Sequence, residues 1–138
     1  MQLMSKLVKS KERQQKYAEV FTPSHIVERM LDMVPLEIWK DPTKTFLEPS
    51  SGNGNFIVAI IRRKIKHGST IEQALSTTFG IEILEDNVAE CRQQVYKLAL
   101  KEIQNDPTKT ILDWDDETDR LKKIIDTNII CKDFLKPD

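Results

Sequence analysis

The sequence predicts an α/β fold built on a parallel sheet, and three observations carry that reading. Short β-rich runs alternate with longer stretches of helical periodicity, in the order helix, strand, helix, strand, helix, strand. The helical stretches are long enough to act as crossovers between parallel strands. The run "TTFGIEI" (77–83) is β-rich and bounded by polar residues, as a buried strand should be. A sheet of this kind is expected to carry helices on both faces.

The chain has 138 residues, one domain's worth and enough for a hydrophobic core. Apolar residues make up 39% and charged residues 31%, which excludes a disordered chain. The net charge of −1 advertises no nucleic-acid or anionic-membrane partner, so any such contact has to be local. No long apolar stretch opens the chain, so neither a signal peptide nor a membrane span is expected, and the reading is cytoplasmic. Cys91 and Cys131, like His25 and His67, lie far apart and complete no metal-ligand set.

Residues 1–18 are rich in Lys, Arg and Gln and read as a basic helix or arm. Thr22 and Ser24 are N-cap types beside Pro23, and Ile26, Val27, Met30, Leu31, Met33 and Val34 then recur at helical spacing up to Pro35. "DPTKT" (41–45) is a turn that feeds the short strand "TFLE". Past Gly52 and Gly54, apolar positions from Phe56 to Ile65 outline a helix ending near Gly68, and a short helix follows at 71–75. The strand 77–83 leads into a long helix from Glu85 to about Gln104, with Val88, Cys91, Val95, Leu98, Leu100 and Ile103 on one face. A second "DPTKT" (106–110) reuses the same turn chemistry, and "DWDDETD" (113–119) reads as a solvated loop entering the helix "RLKKIID". It lacks the glycine and final glutamate of a calcium loop. "TNIIC" (127–131) is the third strand.

Ligands of open parallel sheets bind beyond the carboxyl ends of the strands. Each strand here delivers an acid at or near that end: Glu48, Glu82 and Asp133. A carboxylate after the second strand suits a ribose diol, because it can accept from both hydroxyls. Two of the chain's four glycines, Gly52 and Gly54, sit after the first strand in "FLEPSSGNGNF" (46–56), where bare backbone admits a close ligand. Ile57 stands where a dinucleotide fingerprint needs its third glycine, and the Gly-Lys-Ser/Thr of a phosphate loop is absent. No basic residue lies between Glu48 and Ile61 to meet a pyrophosphate. A cationic, phosphate-free adenosine ligand such as S-adenosylmethionine fits better.

"FLEPSSGNGNF" resembles the cofactor-binding motif of adenine-N6 DNA methyltransferases, in which an Asp/Glu-Pro pair precedes a G-x-G-x-Phe turn. "EVFTPSHIVERML" (19–31) resembles the motif that one permuted class of these enzymes carries just upstream, with Phe21, Thr22 and Pro23 at its core. "FGIEI" and "IICKDFL" resemble the second- and third-strand motifs. The resemblance implies a Rossmann-like class I methyltransferase, a three-layer fold with a parallel sheet, present over 19–138 without its C-terminal strands. It also implies a cofactor site drawn from Phe21, Thr22, Pro23, Glu48, Pro49, Ser50, Gly52, Gly54, Asn55, Phe56, Glu82, Ile83, Asp133 and Phe134. In that site Glu82 is the ribose carboxylate, Asp133 the partner of the adenine amino group, and Phe134 packs on the adenine ring.

The family's catalytic Asn/Asp-Pro-Pro-Tyr/Phe motif follows a fourth strand, and no N-P-P or D-P-P occurs in this sequence. The chain alone is therefore expected to bind the methyl donor without transferring it. DNA, and other methylase or restriction subunits, are the partners implied for a complete enzyme of a restriction-modification system, with no membrane involved. A non-catalytic methylase-like binding or interaction protein is the alternative. A fragment of a protein or RNA amine methyltransferase is another.

Overall fold

The computed structural model of the chain describes residues 22–133, 135 and 136. The basic arm over 1–18, Phe21 and Phe134 lie outside the described residues. Among the described residues nine elements follow one another: α1 (Ser24–Leu31), α2 (Leu36–Lys40), β1 (Phe46–Glu48), α3 (Asn55–Lys66), α4 (Ile71–Ser76), β2 (Thr78–Glu82), α5 (Glu85–Gln104), α6 (Ile111–Asn128) and β3 (Ile129–Cys131). The strands form one parallel sheet in the order β1-β2-β3, with Glu48 opposite Gly80 and Glu82 opposite Cys131. This is an α/β architecture compatible with a Rossmann-like fold. No helix among the described residues is long and apolar enough to cross a membrane.

Three expectations are corrected. Neither Thr22 nor Ser24 caps α1: Pro23 is the N-cap, and its carbonyl accepts from the amides of Ile26 and Val27. The helix also stops at Leu31 instead of running to Pro35. A residue before proline is pushed out of the helical region, and Pro35 instead opens the five-residue α2. That helix is too short to announce itself by periodicity, yet it buries Trp39, which stacks on Phe46 with ring centroids 4.8 Å apart.

The third correction concerns "DWDDETD", which is helical and belongs to α6. Thr110 and Asp113 form a capping box that starts the helix, and each group answers the other's orphan amide. The acids face water, Glu117 pairs with Lys109, and Trp114 packs against the main core. Helix α6 then continues through Asn128, so β3 is shorter than the predicted 127–131.

Side chains alternate across the sheet. Gly80 lies against Ile57 of α3, Thr78 bonds to Ala74 of α4, Glu82 meets Asn87 of α5, and Ile129 joins Leu121 and Ile125 of α6 in one core. Helices α3 to α6 thus reach the sheet through these side chains. Leu47, Phe79, Ile81 and Ile130 point the other way, and Leu47 is half-exposed. A second core of Val27, Leu31, Trp39 and Ile60 holds α1 and α2 to α3. Arg63 of α3 reinforces it by bonding Glu28 (2.6 Å) and Asp32 (2.8 Å) of α1. Both "DPTKT" segments form the same turn: the Thr43 amide and hydroxyl donate to Asp41, and those of Thr108 donate to Asp106.

Candidate functional site

The parallel register brings the carboxyl ends of all three strands to one rim, and the loop after β1 crosses it. The Ser50 amide donates to Glu48 Oε1 (3.1 Å), which bends the chain at the strand end. The Ser51 amide then donates to the Ile81 carbonyl (2.9 Å), which draws the loop over β2. Gly52 and Gly54 both have positive φ, 54° and 102°. Gly54 is the N-cap of α3, so the amides of the first helical turn open at this point. A Cβ on Gly54 would lie 3.0 Å from Cys91 Sγ, so the position is closed sterically as well as conformationally. A Cβ on Gly80 would meet Ser51 and Ile57 at 3.2 Å, so the loop sits close on the sheet there.

The two motif segments meet here. Asn55 Nδ2 donates to the Thr22 carbonyl at 3.4 Å, joining residues 33 apart in sequence and bringing Thr22 and Pro23 to the edge of the glycine turn. Glu82 ends β2 with only 6% of its surface exposed, and its Oε2 accepts from Asn87 Nδ2 at 3.2 Å. The Lys132 amide donates to the Glu82 carbonyl (3.0 Å), so the chain leaves β3 alongside Glu82. Asp133 follows, its Oδ1 accepting from the Leu135 amide at 3.0 Å. Glu48, Glu82 and Asp133 thus stand at the same rim as Gly52, Gly54 and Asn55. Pro49, Ser50 and Ile83 are exposed there. Phe56 packs instead against the second core.

Partial burial pushes the Glu48 carboxyl above its ordinary range, with the Ser50 amide offsetting part of the effect. Its negative charge therefore develops only as pH rises past the usual 4.5 and through the raised value. A cationic ligand beside Glu48 should bind more tightly as pH rises through that window. Calorimetric titration of S-adenosylmethionine across this range should show the rise in the wild type and a flatter profile in Glu48→Gln. Parallel profiles would remove Glu48 from the ligand's surroundings.

Four residues of this region escaped the sequence reading. Ser51 is buried beneath the turn, its hydroxyl beside the Cys91 thiol. Asn87 and Cys91 are fully buried on α5, and Gln94 Nε2 donates to the Asn53 carbonyl at 2.7 Å. Burial pushes the Cys91 thiol up to about 12, so it stays protonated and serves as packing. Only Cys91 had a signal, its place on the apolar stripe of α5.

The turn presents bare backbone at positive φ, and Glu48, Glu82 and Asp133 stand at the same rim. Compared with protein-family models, curated proteins and solved structures, the chain matches none.

Proposed function

We propose that this chain is the S-adenosylmethionine-binding part of a DNA adenine-N6 methyltransferase, of the kind that serves restriction-modification systems in the cytoplasm. The observation that supports this reading most is the meeting of Thr22, the Gly52–Gly54 turn and the three strand-end acids on one rim, in the order of the family's motifs. In this reading Glu82 accepts from the ribose diol and Asp133 from the adenine amino group. The glycine turn admits the methionine portion, and the Glu48 charge favours the cationic ligand. Bound S-adenosylmethionine would supply an electrophilic methyl group on its sulfonium. The chain's own part is to orient that group, since it has no N-P-P or D-P-P to hold a target amine. DNA and any companion methylase or restriction subunits would complete the enzyme.

Calorimetric titration with S-adenosylmethionine tests the cofactor claim. The wild type should bind, and Glu82→Ala should lose about 1.5–3 kcal/mol, the worth of hydrogen bonds to a charged group. No binding by the wild type, or equal binding by both, rejects the assignment.

A further inference from the structure

Resting on the reading just given, we infer that one stripe of α5, formed by Asn87, Cys91 and Gln94, positions both halves of the cofactor site. The three residues are spaced i, i+4 and i+7, so they line one face of the helix. Each meets a different part of the rim. Asn87 donates to the Glu82 carboxylate, Cys91 backs Gly54, and Gln94 donates to the Asn53 carbonyl between the two glycines.

A fully buried asparagine amide beside Val88 and Cys91 is costly in an apolar setting unless its hydrogen bonds are made. Its Nδ2 is spent on a carboxylate that is itself almost fully buried. Bonding that oxygen limits the rotation of the Glu82 side chain. Gln94, two turns further along, holds the loop peptide whose position decides where the Gly54 backbone stands. A single rigid helix therefore sets the spacing between the ribose carboxylate and the glycine turn. Asn87 and Gln94 are positioning residues, acting through Glu82 and the loop.

The two contacts are separated by their dependence on the ribose hydroxyls. The full chain is titrated with S-adenosylmethionine and with its 2′,3′-dideoxyribose analogue, with circular dichroism confirming the fold of each variant. Asn87→Leu should lose about tenfold in affinity for S-adenosylmethionine, the loss expected when a carboxylate is no longer held, and change little toward the dideoxy analogue. Gln94→Ala, at a half-buried position that does not threaten folding, should weaken both ligands equally. If the wild type binds and Asn87→Leu weakens both ligands alike, or neither, the role of Asn87 is overturned. Should Asn87→Leu not fold, Gln94→Ala decides, and unchanged affinity in that variant overturns the stripe. A wild type that binds neither ligand overturns the cofactor reading itself, and this inference with it.

Discussion

Gly54→Val is expected to abolish S-adenosylmethionine binding while leaving the helices folded. The φ of 102° lies where a β-branched residue is strained, at roughly 1–3 kcal/mol. The new Cβ would also fall 3.0 Å from Cys91 Sγ and 3.1 Å from Cys91 Cα. The second of these atoms is backbone of α5 and cannot yield without moving the core, so overpacking adds about 1–3 kcal/mol. The cheapest relief is for the turn to leave its native path, because it is short and lies at the surface of the sheet edge. A turn that moves loses the ligand, since each 1.4 kcal/mol or so is tenfold in affinity. Gly52→Asn provides the contrast: its φ of 54° is one that asparagine tolerates, so the turn should keep its path and any loss of affinity reports the side chain meeting the ligand. Titration of both variants, with far-ultraviolet circular dichroism, separates binding from folding. Native affinity in Gly54→Val would mean that the turn serves only the fold.

Lys64→Ala should destabilise the fold by about 2–4 kcal/mol in denaturant unfolding, as for other long buried side chains cut to alanine. Lys64 is only 3% exposed, and its ammonium is caged by the Thr77 carbonyl (3.0 Å), Thr77 Oγ1 (2.7 Å) and Thr78 Oγ1 (2.9 Å), with the Phe46 ring 4.6 Å away. Among the described residues no carboxylate bonds to this ammonium. Burial accordingly lowers its pKa from 10.5 to about 8. Between those two values the unfolded chain keeps a proton that the folded chain has released, so stability contributed by this residue rises with pH across that window. Lys64→Met keeps the apolar stem and should cost less than alanine, because Thr77 and Thr78 donate their hydroxyls to Gln73 and Ala74 and are not orphaned. The stability difference between wild type and Lys64→Met should then shift toward the wild type from pH 8 to 10.5. Equal pH slopes in the two proteins would contradict a desolvated ammonium.

Much of the fold was legible because the strongest signals are local. The predicted bounds of α5 agree with Glu85–Gln104, since acids at its start and a long apolar stripe leave little freedom. Helix α3 ends near Gly68 as expected, where φ reaches 107°. The failures are equally physical. Helix α6 begins in an acidic run that resembles a loop by composition, and its Thr110–Asp113 cap is visible only once Trp114 is seen to pack inward. On α5 the buried stripe includes Asn87 and Ala99 in place of Leu100, because distant elements decide which residues the helix covers.

The sequence alone specified which acids would gather, because an alternation of strands and helices implies a parallel sheet and a parallel sheet sends its strand ends to one rim. It also specified that the turn after Glu48 must be bare, since only glycine adopts that backbone freely. It was silent on what braces the turn. Whether Asn87 faces water or Glu82, whether Gly54 has room for a Cβ, and whether Lys64 lies outside or within the core depend on residues from 5 to 41 positions away where they bond across elements. Such contacts leave no periodicity in the chain. They exist only once α3 and α5 lie side by side on the same face of the sheet.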